Sequence, residues 1–168
     1  MAIQDTQEFI IELEKQGELK RVKTEVDADL EIAEILRREM YSNGSAILFE
    51  NVKGHSMPVL GNAFGSMKRL EIGLEMTDFT EIGQRIVDMT KMDMPSGLLN
   101  KIKKLPEFSK MAASFPKSQS NGLVTEVTSA DASFDDLPII KSWPNDAGRF
   151  ITLGLIATKH PETGVRNL

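Results

Sequence analysis

The sequence predicts a mixed α/β fold: a first domain over residues 1–115 that interleaves helices with short strands, a linker at 116–122, and a strand-rich stretch over 123–168. Three observations carry this prediction. Apolar residues recur at helical spacing in segments separated by short apolar runs of strand length. Pro116-Lys117-Ser118-Gln119-Ser120-Asn121-Gly122 gathers proline, glycine and small polar residues where helical spacing gives way to a strand pattern. Beyond it, Ile151, Leu153, Leu155 and Ala157 occupy every second position.

Along the chain, Asp5 with Glu8 three residues later reads as a helix start, Phe9, Ile10 and Leu13 form an apolar stripe, and Gly17 supplies the stop. Residues 18–26 place Leu19, Val22 and Val26 among charges, which fits an edge strand whose lysines and arginine discourage further pairing. Asp27 or Asp29 is expected to begin a second helix with a broad buried face from Leu30, Ile32, Ala33, Ile35, Leu36 and Met40, closed by Asn43-Gly44. Residues 46–49 and 58–60 read as two strands about a loop at 52–56. Asn62, Gly65 and Ser66 lead into helical spacing through Met67, Leu70, Ile72 and Leu74. A further helix over 77–92, capped by Thr77 or Asp78, turns Phe79, Ile82, Ile86 and Met89 to one side. Residues 95–115 continue helical, broken at Pro106, with Lys101, Lys103 and Lys104 as a solvated basic cluster. Residues 123–128 are rich in β-formers, and Asp135-Asp136-Leu137-Pro138 turns the chain toward Trp143. One core is expected before about Phe115, from Phe9, Leu13, Leu30, Ile35, Leu36, Leu48, Val59, Ile82 and Ile86.

Composition excludes several classes. With 168 residues, 40% hydrophobic and 27% charged, the chain has ordinary globular composition and can bury roughly two-thirds of its unfolded surface. No run approaches ~18 apolar residues and no basic-then-apolar leader opens the sequence, so neither a membrane span nor secretion is indicated and a cytoplasmic location is expected. Zero cysteines exclude disulfides, thiolate catalysis and cysteine zinc sites. A net charge of -5 without a basic stripe argues against nucleic-acid binding.

The stretch 143–168 carries the chemistry. Its alternating apolar residues, the Pro and Gly within 158–165 and the residues that follow read as a strand, a tight turn and the start of a second strand. Residues between a Pro-Asn-Asp-Ala-Gly turn and a hairpin are presented at a sheet end. Leu137-Pro138-Ile139, Trp143-Pro144, Gly148-Arg149-Phe150-Ile151-Thr152 and Pro161-Glu162-Thr163-Gly164 leading into Arg166-Asn167-Leu168 resemble the UbiD-type decarboxylases. Earlier segments extend the likeness in the same order: Leu30-Glu31-Ile32-Ala33-Glu34-Ile35, Leu48-Phe49-Glu50-Asn51-Val52-Lys53-Gly54, Pro58-Val59-Leu60-Gly61-Asn62 and Phe64-Gly65-Ser66. The resemblance implies a mixed α/β domain followed by the first strands of a split β-barrel flavin-binding domain. It also implies removal of carbon dioxide from an aromatic or α,β-unsaturated acid, such as a 4-hydroxy-3-polyprenylbenzoate or an anhydromevalonate phosphate. The cofactors implied are prenylated FMN with Mn2+ or Mg2+, K+ being a further ion the family allows. A flavin prenyltransferase would supply the cofactor, and the complete protein would be a homo-oligomer, dimer to hexamer.

By the same resemblance Asn167 is a metal ligand and, with Thr152, binds the cofactor, while Arg149 and Ile151 line the substrate pocket. An amide oxygen is a neutral hard ligand suited to magnesium or manganese beside phosphate. On residue chemistry alone, Thr152 is equally a sheet-stabilising residue and Arg149 a surface partner of Asp146. His55 and His160 are expected to be solvated, the Asp135-Asp136 and Glu12-Glu14 pairs to be turn and helix-surface charges, and the methionines to fill the core. The family completes its metal site with a His and a Glu and its acid/base set with a Glu-Arg-Glu arrangement, all beyond Leu168. The chain therefore reads either as the N-terminal third of a longer enzyme, inactive alone, or as a short protein that works with a partner. Two competing functions are a non-catalytic assembly module that keeps the first domain, and a split-barrel binder of ordinary flavin.

Overall fold

The structure, a computed structural model, describes residues 3–76, 78–90, 122 and 126–168. Thr77, the side chain of Met89, residues 95–115 with the lysine cluster, the proposed linker up to Asn121, and residues 123–125 lie outside the described residues. The chain divides into two compact units, Met1–Glu75 with Ala132–Leu168, and Met76–Asp131.

Helix α1 spans Thr6–Lys15. Asp5 Oδ1 accepts from the Glu8 amide at 2.8 Å, and Glu8 Oε2 accepts in return from the Gln4 amide at 2.9 Å. The helix ends at Gly17, whose φ of 71° lets the Glu18 amide reach back to the Leu13 carbonyl at 2.8 Å. Helix α2, Glu31–Tyr41, closes the same way, with Asn43 at φ 53° and the Gly44 amide on the Glu39 carbonyl at 2.8 Å. Its start departs from expectation. The N-cap is Leu30, at φ 68°, and neither Asp27 nor Asp29 caps it with a side chain. The Asp27 carboxylate instead accepts from the Asp29 amide at 2.9 Å and from Lys53 at 3.0 Å. The Glu31 amide bonds to the Asp29 carbonyl at 2.9 Å, so Leu30 is the centre of a γ-turn, a conformation that strains a residue with a Cβ.

Strands β1 (Leu19–Val22), β2 (Ala46–Phe49) and β3 (Val59–Gly61) form one sheet in that order. β1 pairs with β2 in parallel, Leu19 opposite Ala46, and β2 with β3 antiparallel, Leu48 opposite Leu60. The parallel pair needs a crossover, and α2 is it. β2 is buried along its whole length because both of its faces are covered. Ile47 and Phe49 pack with Val26, Ala28, Ile32 and Val52 in one cluster, whereas Ala46 joins Phe9, Leu13 and Ile72 in another. The second cluster is built by α1 and by helix α3 (Met67–Leu74), which Ser66 caps by accepting from the Arg69 amide at 3.2 Å. Gly61 sits so close to α2 that an added Cβ would lie 2.4 Å from Leu36 Cδ2, so a side chain there would force Leu36 to shift. β1 is an edge strand, as its charges foretell: Arg21 bridges Glu14 and Glu50, each at 2.7 Å.

Among the described residues one charge is buried. Arg69 is 1% exposed and its Nη1 meets Glu18 Oε2 at 3.0 Å, while Glu18 Oε1 meets Lys68 at 2.9 Å. The Lys68 bond, with help from Arg69 and against the opposing effect of burial, holds the Glu18 carboxyl below the usual carboxylate range.

Four other expectations are corrected. The buried face of α2 is narrow: Ile32 is buried, Ile35 and Leu36 are partly buried, and Met40 is 60% exposed, because the sheet behind the helix is only three strands wide. Helix α4, Thr80–Thr90, belongs to the second unit and leaves Ile86 57% exposed, so Ile86 is not a core residue. Residues 126–127 are bends. The alternating run 151–157 is not a strand; Leu153 is 84% and Leu155 91% exposed, and no neighbouring strand among the described residues takes up its backbone groups.

The tail returns to the first unit. The Lys141 amide donates to the Ala28 carbonyl at 3.0 Å, the Leu30 amide to the Lys141 carbonyl at 3.1 Å, and Ile140 packs on the α2-side cluster.

Ile32→Ala should lower unfolding free energy by roughly 2 to 5 kcal/mol, whereas Ile86→Ala should change it by less than about half a unit; denaturant titration of both variants measures the contrast. Glu18→Gln strands Arg69 and should cost about 3 kcal/mol at neutral pH. Because the folded carboxyl titrates below its unfolded value, its contribution is complete above the unfolded value of about 4.5 and disappears as pH falls through the lowered one. The stability gap between wild type and Glu18→Gln should therefore narrow as the pH is taken below about 4.5.

Candidate functional site

The second sheet is a hairpin in which β4, Thr158–Lys159, pairs antiparallel with β5, Arg166–Asn167. Thr158 stands opposite Asn167 and Lys159 opposite Arg166. Pro161 fixes one turn dihedral, and Gly164 at φ 68° makes the reversal that a side chain would strain. The His160 amide donates to the Val165 carbonyl and the Gly164 amide to the His160 carbonyl, both at 2.9 Å. The Thr163 and Glu162 amides both donate to His160 Nδ1, at 3.2 and 3.3 Å.

An open hollow of about 820 Å³ lies against this hairpin, lined by Ala157, Thr158, Lys159, Arg166, Asn167 and Leu168. The Asn167 side-chain amide has no hydrogen-bond partner among the described residues; its backbone carbonyl accepts from Thr158 Oγ1 at 3.5 Å. Lys159 and Arg166 form no ion pair among the described residues, so two cations face each other across the ladder. Like charges placed so disfavour the pair. Among the described residues no cluster of three or more His, Asp or Glu side chains is arranged to hold a metal ion.

The residues singled out from sequence are not all brought together. Asn167 lies in the hollow. Thr152 sits in a turn outside the ladder, since the strands begin only at Thr158. Ile151 is 58% exposed and, like Arg149, does not line the hollow. Arg149 does not pair with Asp146: its Nη1 donates to the Ile139 carbonyl at 3.3 Å, while Asp146 Oδ2 accepts from the Trp143 amide at 3.0 Å. Asp146 closes its own turn, and a short Asx-type contact displaces the long-range one. His160 is exposed, as expected, although its Nδ1 also organises its turn, whereas His55 is half-buried with Nδ1 3.4 Å from the Asp136 carbonyl. Thr158 was missed. Counting back from Asn167 across a turn centred on Pro161 to Gly164 reaches Thr158 rather than Thr152.

The fold and hairpin have close relatives. Residues 10–88 match the profile of the 3-octaprenyl-4-hydroxybenzoate carboxy-lyase N-terminal domain, and residues 116–168 that of the same enzyme's Rift-related domain. These are carboxy-lyase domains. The chain belongs to the UbiD family. It is 44% identical over 167 residues to an uncharacterized protein of Aquifex aeolicus (strain VF5), covering 98% of this chain and 34% of that one. An uncharacterized protein of Archaeoglobus fulgidus is 41% identical over 167 residues, covering 99% of this chain and 34% of its own. Among solved structures, an evolved dimeric form of the UbiD-class enzyme HmfF from Pelotomaculum thermopropionicum, in complex with prenylated FMN, superposes with a TM-score of 0.65 at 25% identity. It covers 96% of this chain and 33% of that chain. HmfF in complex with FMN gives 0.60 at the same identity, covering 96% and 32%. The chain thus spans about a third of the length of the relatives it matches.

Proposed function

We propose that this chain is the part of a UbiD-type decarboxylase that begins the cofactor site, in a protein that removes carbon dioxide from an aromatic or α,β-unsaturated carboxylic acid. The observation that carries the reading is the pair of family matches in chain order, ending on a hairpin where, among the described residues, the Asn167 side-chain amide has no partner and two neighbouring cations have no ion pair. Both solved neighbours are flavin complexes, one with prenylated FMN, which favours a flavin here. Asn167 would offer a neutral oxygen to a divalent ion next to the flavin phosphate, with Lys159 and Arg166 supplying positive potential for that phosphate. When bound, prenylated flavin would supply an electron sink for the pair left behind by the departing carbon dioxide. The chain's own work is to hold the phosphate end in place and fix the ring's position.

Arg149 has hydrogen-bond donors left over after its one contact to Ile139, enough to meet a substrate carboxylate; Ile151 and Thr152, exposed on the same segment, are proposed to line the cavity beside it. The exposed Leu153, Leu155 and Ile156 are read as surface that further strands of a split β-barrel cover. A homo-oligomeric full-length enzyme, supplied by a flavin prenyltransferase, is part of the same proposal.

A divalent ion seeks about six oxygen ligands, which one amide and a phosphate do not provide. The 168-residue chain should therefore retain prenylated FMN and Mn2+ weakly and release no carbon dioxide even with both supplied. In an enzyme completed by the family's remaining residues, Asn167→Ala should lower cofactor occupancy and turnover together, by about tenfold or more. Absorbance of bound flavin and carbon dioxide release measure the two effects; full occupancy with unchanged turnover would remove Asn167 from the site.

A further inference from the structure

We infer that His160 is a positioning residue for Asn167, acting through an imidazole that must be neutral to hold the hairpin turn. The inference rests on the proposed reading of Asn167 as a ligand. Its geometry is independent of it. Nδ1 of His160 accepts two backbone N–H groups, from Glu162 at 3.3 Å and from Thr163 at 3.2 Å. A ring nitrogen accepts only when it carries no proton, so this turn selects the neutral tautomer with the proton on Nε2. The same residue closes the ladder through its backbone, to Val165 and from Gly164, and the pairs that follow are Lys159 with Arg166 and Thr158 with Asn167.

The hairpin has little else to set its register. Its strands are two residues each, all four exposed, and two cations oppose each other within them. Such a short ladder is marginal in water. The two imidazole bonds order residues 160–163 into one turn, and the register fixed there determines which face of the hairpin Asn167 occupies.

The test uses the 168-residue chain without flavin or metal, so its outcome is separate from that of the decarboxylase reading. In amide-resolved NMR, the wild-type chain should show the Thr158–Asn167 cross-strand contact. His160→Asn, whose side-chain oxygen accepts from the same amides in an Asx-type turn, should keep that contact. His160→Phe should lose it. Should His160→Phe keep the Thr158–Asn167 contact, or His160→Asn lose it, His160 does not position Asn167.

Discussion

Burial of β2 on both faces is the constraint from which the first unit follows. A strand buried at all four positions must be apolar throughout, and Ala46-Ile47-Leu48-Phe49 is. It must also have a layer on each side. α2 supplies one through Ile32, and α1 with α3 supplies the other through Phe9, Leu13 and Ile72. Alternation along the strand then decides which residue joins which cluster. The turns and caps at Gly17, Asn43 and Ser66 place the helices where those clusters close.

A buried guanidinium beside this packing looks costly in isolation. Arg69 is tolerated because Glu18, the residue just after the α1 stop, stands within reach, and Lys68 shares the same carboxylate. The ion pair therefore ties α3 to the connection between α1 and β1. It adds geometric definition where the apolar cluster of Phe9, Leu13, Ala46 and Ile72 supplies only non-directional attraction.

Much of this was legible in the residues, and the failures have physical causes. Caps and stops such as Asp5, Gly17 and Asn43-Gly44 are local, so sequence finds them; the Leu30 cap depends on a carbonyl from Lys141 and was invisible to local pattern. Hydrophobic spacing locates helices but not what covers them, which is why Met40 and Ile86 read as core and stand exposed. In the hairpin, the expected neighbour of Asn167 was Thr152, yet its cross-strand partner is Thr158 because register depends on where the turn begins. Alternation at Ile151 to Ala157 likewise signals a strand only when something pairs with it.

The Lys141 clasp on Ala28 and Leu30 has a consequence for how the protein is made. Residues 3–75 contain the whole sandwich and its two clusters, so a nascent chain has its packing partners soon after they leave the ribosome. The γ-turn at Leu30, by contrast, waits for a hydrogen-bond partner far downstream, on the order of ten seconds later at ordinary synthesis rates. During that interval the N-terminal end of α2 is the least secured part of an otherwise assembled layer. Arrival of Ile140 and Lys141 then fastens, by vectorial order of synthesis, the segment that leads to the hairpin onto a scaffold already built to receive it.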